Sequence, residues 1–471
     1  MQSSKNMKIL FIIPPENKPR KLFFSPKIGI YIPLGIAQIA AMLEKRNHKV
    51  KALDLRLCDE ECLLAIKKTL SSFKPDIIGM SCSFFSAKIT FEIARSIKEV
   101  YDAPIILGGP YATVFATSIM RSHKSIEIIV VDEGDYTFPE ILDSMGKKQS
   151  LSLVKGILYR EGKKIVRTQA RPVISDLNDL PFPAFHLFDF KKYVPLPKHC
   201  KRTPLLPMIT SRGCQWGKCT FCYQPRIYGR RLSPERVVNE IAYFKKIYNI
   251  REVRFWDDIF ISNRTWINKF CDLLEKEDLG IIWSCHARVD MVSKEILERI
   301  AKAGCWQILY GIESESMELL GKIGKGITKE QAINAVRWTK ESKIEARISC
   351  IIGLPDETPV MTDRTIEFAY SLDADLTQFS LATPYPGTRM YERYRHSKRL
   401  DKDLTYYSEI KAVYLPKGYD NKKQLEDKFK MAYRRYYFRP SYILKNLVKI
   451  RELDDIKRFY YGIRVALGMS A

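Results

Sequence analysis

Short apolar runs alternate with amphipathic runs over the first 150 residues. The apolar runs Lys8–Ile13, Val50–Leu55 and Asp76–Ser81 are each followed by a longer run whose apolar positions have helical spacing, such as Ser86–Val100. Repeated strand–helix units of this kind predict parallel strands with helices on both faces of one sheet. We therefore predict a doubly wound, Rossmann-like α/β domain over residues 1–150, with ligands bound beyond the carboxyl ends of its strands.

Residues 151–205 break this alternation. Gly156–Val166 is typical of a hairpin that turns at Glu161-Gly162-Lys163. The two prolines of Asp179-Leu180-Pro181-Phe182-Pro183 exclude a helix there. We predict a linker that contains one hairpin.

A second series of strand–helix units covers residues 206–390. Six strands are predicted in it: Leu206–Thr210, Glu252–Trp256, Ile281–Cys285, Trp306–Gly311, Ala346–Ile352 and Leu376–Leu381. Strict alternation of six strands with helices predicts a partial (β/α)6 barrel, whose catalytic groups lie at the carboxyl ends of the strands. Residues 391–471 are helical in pattern, aromatic and basic, and are predicted to form a C-terminal tail.

Composition and charge narrow the class of protein. No apolar run reaches the length of about 18 residues that spans a bilayer, and no secretory signal is recognised, so a cytoplasmic protein is expected. The 11 cysteines argue against a disulfide framework in such a chain. The net charge of +24 is compatible with an anionic partner or with a solvated, lysine-rich surface.

Three cysteines lie close together directly after the first strand of the second series. Cys214, Cys219 and Cys222 fall within nine residues on a glycine-containing loop, so their thiolates can converge on one inorganic centre. A four-iron cluster normally takes four thiolates, and a set of three leaves one iron open to bind a further molecule. The alternative is a zinc site completed by Cys200 or His199, which is disfavoured because the sequence has no second cysteine knuckle.

This cysteine segment resembles the radical S-adenosylmethionine (SAM) superfamily. Phe221 before the last cysteine and the second spacing match that family, whereas four residues instead of three separate Cys214 from Cys219. The resemblance implies a 4Fe-4S cluster whose open iron binds SAM, and a cleavage of SAM that yields a 5′-deoxyadenosyl radical. It also implies SAM contacts, most of them at strand ends, by Phe221, Asp257, Asp258, Arg288, Glu313, Ser314, Gly353 and Leu354.

The first 150 residues resemble the cobalamin-binding domain that precedes the barrel in one radical SAM subfamily. The resemblance implies cobalamin contacts by Pro33, Leu34, Gly35, Ser81, Ser83, Gly108, Gly109, Pro110, Tyr111, Glu133 and Gly134. Glycines 108 and 109 are expected to let the backbone approach a flat ligand closely. The stretch Asp54–Asp59, where many cobalamin proteins carry a cobalt-binding histidine, contains none, so histidine ligation by this segment is excluded.

The resemblance implies a cobalamin-dependent methyltransferase that acts on an unactivated carbon. One SAM would methylate reduced cobalamin, and a second would give the radical that abstracts hydrogen before methylcobalamin gives up its methyl group. The first alternative is a radical SAM cyclase, ring-rearranging enzyme or oxidoreductase without methyl transfer. A less favoured alternative is a tRNA-modifying methylthiotransferase, because the spacing of Cys58, Cys62 and Cys82 differs from the pattern of its second cluster.

The expected partners are a small-molecule or lipid substrate and an electron donor such as flavodoxin or ferredoxin, whereas nucleic acid is not expected. An oxygen-sensitive cluster implies an anaerobic setting. The tail interleaves basic residues and tyrosines between Lys428 and Arg439, and Lys445 and Lys449 follow on an amphipathic run. This tail is predicted either to lie on a membrane surface or, as the favoured alternative, to form a helix that packs on the open side of the barrel.

Overall fold

The computed structural model describes residues 6–16, 29–58, 60–196, 198–223, 229–404 and 407–447, without the side chains of residues 445–447. Its chain divides into two compact units, one extending to Val194 and one from Pro195 onward. Among the described residues, no helix has both the length and the apolar character that crossing a membrane requires.

The first unit contains a seven-stranded sheet in the order β2-β1-β3-β4-β5-β6-β7. Its strands are β1 (Lys8–Ile13), β2 (Lys49–Asp54), β3 (Ile77–Ser81), β4 (Ile105–Gly108), β5 (Ile128–Val130), β6 (Ile157–Glu161) and β7 (Lys164–Arg167). The first five strands run parallel, in the doubly wound order 2-1-3-4-5. The strand order reverses between β1 and β3, which is the switch point where such sheets bind ligands.

In the part of the first unit that the structure describes, five α-helices accompany the parallel strands. They are α1 (Leu34–Glu44), α2 (Cys62–Phe73), α3 (Ala87–Val100), α4 (Pro110–Ser122) and α5 (Gly134–Gly146). Every residue of β1 from Ile9 to Ile13 is buried, as expected for a strand with helices on both faces. Helix α4 was not predicted from the sequence. Pro110 is its first residue, where the missing N–H of a proline costs nothing.

The predicted hairpin is present, but it extends the first sheet. Strand β6 pairs antiparallel with β5, so that Tyr159 lies opposite Ile128, and β7 pairs with β6. The Arg160 side chain donates to the backbone oxygen of Ile126 at 2.9 Å and ties the hairpin to the segment before β5. These residues therefore belong to the first sheet as well as to the linker that the sequence predicted.

The second unit contains a six-stranded parallel sheet in the order β15-β14-β13-β12-β11-β8. Its strands are β8 (Leu205–Met208), β11 (Glu252–Phe255), β12 (Ile282–Ala287), β13 (Cys305–Glu313), β14 (Glu345–Ile352) and β15 (Leu376–Leu381). Two further short strands, β9 (Ser211–Arg212) and β10 (Arg230–Arg231), pair with each other. Because neighbours in the sheet are also neighbours in sequence, right-handed crossovers place the helices on one face and the sheet curves into a partial barrel.

Among the described residues, the second unit contains nine helices. They are α6 (Pro234–Tyr248), α7 (Arg264–Glu277), α8 (Lys294–Lys302), α9 (Met317–Lys322), α10 (Lys329–Glu341), α11 (Pro359–Ser371), α12 (Arg389–Tyr394), α13 (Lys422–Tyr437) and α14 (Pro440–Leu447). The outward strand positions pack on them: the Tyr310 hydroxyl lies 2.8 Å from the Thr339 hydroxyl of α10. The predicted fold class, a doubly wound sheet followed by a partial barrel and a helical tail, is confirmed.

The tail helix α13 lies along the edge strand β15. The Tyr433 hydroxyl donates to the backbone oxygen of Phe379 at 2.9 Å and accepts from its backbone N–H at 3.1 Å. The Tyr437 hydroxyl pairs in the same way with Thr377, at 2.6 and 3.3 Å. Tyr433 and Tyr437 are therefore hydrogen-bonded to the edge of the sheet. This agrees with the predicted alternative in which the tail packs on the barrel.

Candidate functional site

The three cysteines lie in the loop between β9 and β10, directly after the first strand of the partial barrel. Cys214 and Cys219 are half-buried and Cys222 is exposed. Gly213 has a φ of 91°, which a side chain would disfavour, at the point where the chain leaves β9. No three Cys, His, Asp or Glu side chains of the described ranges are already gathered closely enough to hold a metal ion, so holding a cluster would require the three thiols to draw together.

The cysteine loop rests on the segment between α9 and α10. The Trp216 indole N–H donates to the backbone oxygen of Gly324 at 2.7 Å, and the backbone N–H of Thr220 donates to Ile323 at 2.8 Å. The Trp216 ring also fills the space that a side chain on Gly326 would need. Neither Trp216 nor this segment was singled out in the sequence, because they are about a hundred residues apart.

Two cations lie beside the cysteine loop. The Arg288 guanidinium lies 4.2 Å from the centre of the Trp216 ring. Burial raises the pKa of the Cys219 thiol, and the charges of Lys325 and Arg288 oppose that effect by favouring the thiolate. Three thiols on one loop, beside two basic side chains that favour the thiolate of Cys219, fit an iron–sulfur cluster, whose ligands are thiolates.

Asp257 holds the start of the cysteine loop. Its buried carboxylate accepts the backbone N–H of Thr210 at 3.1 Å and the Thr210 hydroxyl at 2.7 Å, and it also accepts the Ser211 hydroxyl. Burial raises its pKa. The residue faces the protein loop in this structure, so it acts on the site by positioning Thr210 and Ser211.

Asp258 follows at the end of the second barrel strand and is only half-buried. Burial, together with the neighbouring charge of Asp257, raises its pKa to about 6. A carboxyl group with such a pKa can gain or lose a proton near neutral pH, as acid–base groups at active sites do.

A buried ion pair lies at the end of the fourth barrel strand. The Glu313 carboxylate accepts a hydrogen bond from the Lys325 ammonium group at 2.7 Å, and both side chains are less than 10% exposed. Glu313 adopts a φ of 65°, an uncommon conformation for a residue with a side chain. The pair joins the strand end to the segment that supports Trp216.

Arg288 joins the third strand end to the same segment. Its guanidinium makes two hydrogen bonds of 2.9 Å to the Asp290 carboxylate and one of 2.9 Å to the backbone oxygen of Lys325. Arg288 is therefore neutralised by Asp290 and also reaches the cysteine loop through Trp216. Phe221, the aromatic residue of the motif, lies in that loop and is half-buried.

The fifth strand end is capped by a carboxylate that the sequence did not reveal. Glu357 accepts the backbone N–H groups of Gly353 at 2.6 Å and Leu354 at 2.7 Å. Burial raises its pKa to about 7. Gly353 has a φ of 86°, and a side chain there would press on Leu425 of α13. In the sequence, Glu357 is marked only by its position directly before Thr358, the N-cap of α11.

Ser314 lies one residue after β13 and is buried. Its hydroxyl lies 3.1 Å from the hydroxyl of Thr365 in α11 and accepts the backbone N–H of Ser316 at 3.2 Å. The group therefore links the fourth strand end to the helix after the fifth strand.

In the first unit, two strand ends pack directly on each other. Gly109 has a φ of 103°, and a side chain there would lie only 2.7 Å from the backbone oxygen of Cys82. The backbone N–H of Cys82 donates to Gly108 at 2.8 Å. Because Gly109 has no side chain, the backbone of the neighbouring loop can pack against it. At Gly108, the nearest atom lies 3.9 Å from the point where a side chain would begin.

The other predicted cobalamin contacts lie at the same edge of the first sheet. Ser81 ends β3, and the Ser83 hydroxyl lies 3.0 Å from the Ser86 hydroxyl. Tyr111 packs in α4 with its ring centre 4.7 Å from that of Phe115. The remaining residues surround the starts of helices α1, α4 and α5: Pro33, Leu34, Gly35, Pro110, Glu133 and Gly134.

Gly35 and Gly134 differ in the space around them. No atom lies within 4 Å of the point where a side chain on Gly35 would begin, whereas one on Gly134 would lie 2.8 Å from Ile39. Glu133 accepts the backbone N–H of Ile174 at 3.2 Å. Gly35 thus leaves open space at the switch point, and Gly134 is a packing position.

Arg56 and Tyr193 both bind Asp54 at the end of β2. The Arg56 guanidinium donates to the carboxylate at 2.8 and 2.6 Å, and the Tyr193 hydroxyl donates at 3.0 Å. Tyr193 was not predicted, since it lies 139 residues from Asp54 in the chain.

Two family models match the chain. Residues 28–142 match the B12 binding domain and residues 208–369 match the radical SAM superfamily. A curated relative, an uncharacterized methyltransferase of Pyrococcus horikoshii, is 32% identical over 97% of this chain and 99% of its own length. An anaerobic magnesium-protoporphyrin IX monomethyl ester cyclase of Rubrivivax gelatinosus is 25% identical, over 90% of this chain and 77% of that protein.

Two solved structures share the fold. The radical SAM methyltransferase TsrM of Kitasatospora setae, solved with cobalamin and a 4Fe-4S cluster, covers 93% of this chain and 90% of its own at 17% identity and a TM-score of 0.69. The cobalamin-dependent radical SAM enzyme OxsB, solved with aqua-cobalamin and SAM, covers 97% of this chain and 70% of its own at 21% identity and a TM-score of 0.73.

These matches confirm the predicted family, and the predicted set of a 4Fe-4S cluster, SAM and cobalamin agrees with it. The two model matches fall one in each compact unit, and the P. horikoshii relative spans both. The chain therefore belongs to the radical SAM superfamily, in the group whose members carry a B12 binding domain ahead of the radical SAM domain.

Proposed function

We propose that the chain methylates an unactivated carbon of a small-molecule substrate, with a 4Fe-4S cluster, SAM and cobalamin. The observation that carries this proposal is the cysteine loop. Asp257, Arg288 and Glu313, at three strand ends, support this loop directly or through Trp216 and the segment of Lys325. The chain is also similar to a curated methyltransferase over 97% of its length. When bound, the cluster and SAM supply a 5′-deoxyadenosyl radical, and cobalamin supplies a methyl group.

The residues of the second unit would hold and orient these groups. Cys214, Cys219 and Cys222 would bind the cluster. Asp258, Arg288, Glu313, Ser314 and the Gly353-Leu354 backbone would line the SAM site, with Phe221 beside it. Asp257 and Trp216 would act by positioning the cysteine loop. Asp257 accepts a hydrogen bond from Thr210 at the start of this loop, and Trp216 donates one to Gly324 in the segment between α9 and α10.

The residues at the switch point of the first unit would hold cobalamin. The open space at Gly35, together with Ser81, Ser83 and Gly108 at adjacent strand ends, supports this assignment. Gly109 would act by keeping the two strand-end loops together, since the space for a side chain is taken by Cys82.

The test is product analysis under anaerobic conditions with the reconstituted protein, SAM and a low-potential reductant. We expect 5′-deoxyadenosine and S-adenosylhomocysteine to form together in the presence of the substrate, because the reaction consumes SAM in two ways. Absence of both products with the true substrate would contradict the proposal. An iron content near eight per chain, instead of about four, would instead favour the methylthiotransferase alternative.

A second candidate is a radical SAM cyclase that transfers no methyl group. The similarity to the R. gelatinosus cyclase over 90% of this chain supports it. Formation of 5′-deoxyadenosine without S-adenosylhomocysteine would favour this candidate over methyl transfer.

The proposal includes four domain assignments and a cellular setting. Residues 1–150 would bind cobalamin, 151–205 would form a linker with a hairpin, and 206–390 would form the catalytic barrel. Residues 391–471 would form a helical, basic C-terminal region, of which 448–471 lie outside the described residues. We further propose a cytoplasmic location and a flavodoxin or ferredoxin as electron donor.

As an alternative to packing on the barrel, we propose that the tail contacts a membrane surface. Tyr433 and Arg439 are buried against the rest of the unit, Lys449 lies outside the described residues, and the Lys445 side chain is not described. Liposome binding that is unchanged in a Lys445→Ala, Lys449→Ala variant would contradict membrane contact.

A further inference from the structure

Helix α12 lies against the cysteine loop, at the edge of the second sheet where the strands end. The helix follows the last barrel strand, β15. The backbone N–H of Met390 donates to the backbone oxygen of Thr220 at 2.8 Å. The Arg389 guanidinium donates to the backbone oxygens of Gly217 and Lys218. Helix α12 is therefore in direct contact with the loop that carries the three cysteines.

The segment that starts with this helix is strongly basic. Five of the eleven residues from 389 to 399 are arginine or lysine and one is acidic, whereas the whole chain has 78 basic and 54 acidic residues. With Lys218 of the cysteine loop, the basic residues of the segment form a surface that is called here the α12 patch: Lys218, Arg389, Arg393, Arg395, Lys398 and Arg399. All six residues are exposed. Arg389 and Arg393 are four residues apart and therefore share one face of the helix.

The contacts of the α12 patch leave most of its positive charge in place. Arg389 and Arg399 donate to backbone oxygens, which carry no net charge. Glu392 pairs with Arg395 at 3.1 Å. The next acidic residue, Asp401, is bound by a lysine of α13. The patch therefore presents a positive charge to the solvent beside the cysteine loop.

The cysteine loop itself reaches the surface next to this patch. Cys222 is exposed, and so are Gln215 and Lys218. In the proposed reaction the cluster takes up one electron before SAM is cleaved, so an electron donor must come close to this loop. A protein that docks on the α12 patch would touch the same loop.

We propose that the α12 patch is the docking surface for an acidic one-electron carrier protein of the flavodoxin or ferredoxin class. The inference rests on the proposed function, which requires a reduced cluster. One electron passes from the reduced carrier to the oxidised cluster, so the carrier is oxidised, the cluster is reduced, and no bond forms or breaks. Electron-transfer complexes have small interfaces and depend on opposite charges for their encounter.

Other anionic partners are attracted by positive charge as well. A nucleic acid or an anionic membrane would gain from the basic residues alone. Neither of them makes use of the contact between α12 and the cysteine loop, which an electron donor needs. The position of the patch therefore favours the carrier protein.

The experiment uses the reconstituted protein with cluster, cobalamin and SAM, under anaerobic conditions, and an acidic flavodoxin as the probe. Isothermal titration calorimetry measures the Kd of the oxidised flavodoxin at low and at high salt. Rapid-freeze electron paramagnetic resonance follows the reduction of the cluster by the flavodoxin hydroquinone and distinguishes the cluster from cobalamin.

The variant Arg393→Glu, Lys398→Glu reverses two exposed charges of the α12 patch. The matched control is Lys276→Glu, Lys302→Glu, which makes the same change in net charge at exposed positions. Both control residues lie in the last turn of a helix, as Arg393 does. Because the helices of a barrel run back from the strand ends, this control lies at the opposite edge of the sheet.

We expect the wild type and the control to bind the flavodoxin with the same Kd at low salt, and to lose most of this binding at high salt because salt screens exposed charges. The α12 patch variant should bind at least about tenfold more weakly and should be reduced at least about tenfold more slowly. Reduced methyl viologen, a small donor that needs no docking surface, should reduce the patch variant no more slowly than the wild type.

A single variant covers the case in which the double variant does not hold its cluster. Arg393→Gln removes one exposed charge and should weaken the flavodoxin Kd about threefold at low salt. Absence of flavodoxin binding by the wild type, or an unchanged Kd in the patch variants, overturns the inference. Binding of a short single-stranded RNA that the patch variants lose, with flavodoxin reduction unchanged, overturns it as well.

The same samples separate this inference from the proposed function. Cluster reduction that depends on the α12 patch, without methyl transfer to a substrate, counts against the proposed function alone. Methyl transfer driven by reduced methyl viologen, with a flavodoxin Kd that does not respond to the patch variants, counts against this inference alone.

Discussion

The ends of β3 and β4 in the first unit are held by close packing of backbone, whereas the end of β13 in the second unit is held by a buried pair of charged side chains. In the first unit, Gly109 lies against the backbone of Cys82, and a side chain there would lie 2.7 Å from the Cys82 oxygen. In the second unit, Glu313 pairs with Lys325 at the corresponding edge of its sheet. Both edges carry predicted cofactor contacts, but different forces shape them.

The difference indicates which changes each edge tolerates. A backbone contact fails when any side chain is added, because a close-packed interior does not yield by an ångström. A buried ion pair fails when one partner loses its charge, because the other charge is left without compensation. The first edge should therefore respond to size and the second edge to charge.

The largest expected effect is the loss of the cluster from the second edge. Cys214→Ala removes one of three thiolates, so we expect the iron content of the reconstituted protein to fall from about four per chain to near zero. The formation of 5′-deoxyadenosine from SAM should fall with it. Iron analysis and product chromatography measure both.

Cys62→Ser in the first unit is the control for this variant, since Cys62 is also half-buried. It should keep the iron content of the wild type. Full iron occupancy in Cys214→Ala would mean that this residue is not a ligand.

Glu313→Gln tests the expectation that the second edge responds to a loss of charge. Lys325 would stay buried without its carboxylate, and we expect a loss of about 3–5 kcal/mol in the free energy of unfolding of this unit. Urea denaturation followed by circular dichroism measures the loss. The double variant Glu313→Gln, Lys325→Met should recover most of it.

Glu318→Gln is the matched control, because Glu318 is exposed and pairs with Lys322 on the surface of α9. It should change the stability by less than about 0.5 kcal/mol. Equal losses of stability in Glu313→Gln and Glu318→Gln would contradict the expectation that this edge responds to charge.

Gly109→Ala tests the expectation that the first edge responds to the size of an added side chain. The added methyl group would meet the backbone oxygen of Cys82, and the φ of 103° disfavours any side chain, so we expect a loss of about 2–3 kcal/mol in the free energy of unfolding of the first unit. Urea denaturation measures it, and the absorbance of bound corrinoid reports on the edge itself.

Gly162→Ala, in the hairpin turn, separates strain from contact. Gly162 also has a positive φ, of 59°, but no atom lies within 4 Å of the added group. It should cost about 1 kcal/mol. A similar loss in both variants would show that the contact with Cys82 contributes nothing.

The smallest expected effect is a change in pH dependence at the second edge. Burial raises the pKa of Glu357 from its ordinary value of 4.5 to about 7, so the folded protein binds this proton more tightly than the unfolded one. The stability from this group is present at low pH and is lost as the pH rises from 4.5 through 7. Relative to Glu357→Gln, the wild type should therefore lose on the order of 2 kcal/mol between pH 5 and pH 8.

Urea denaturation at the two pH values provides this comparison. Glu367→Gln, which changes an exposed glutamate of the following helix, should keep the slope of the wild type. A slope in Glu357→Gln equal to that of the wild type would exclude Glu357 as its source.

The fold could be predicted in detail because it follows from local patterns. The bounds of β1 and β15 agree with the sequence prediction to the residue, since short apolar strands carry their signal within a few residues. Helix α4 was missed because its proline also fits a turn. The alternation of strands with helices along the chain then predicted the doubly wound sheet and the partial barrel.

The site could be predicted only where its residues follow a strand or form a motif. The three cysteines and the strand-end residues were found in this way. Trp216, Lys325 and Glu357 were not, because their roles depend on partners that the fold brings together over long distances in the chain, such as Trp216 and Gly324. The role of Gly109 was predicted as an approach to a ligand, whereas its space is used by Cys82.

The tyrosines of α13 have a consequence for the behaviour of the protein in solution. Strand β15 ends the second sheet, and an open strand edge can recruit a strand of another molecule. The hydroxyl groups of Tyr433 and Tyr437 occupy backbone groups that such an intruding strand would need. This helix therefore acts as a barrier to the pairing of β15 with a strand of another molecule.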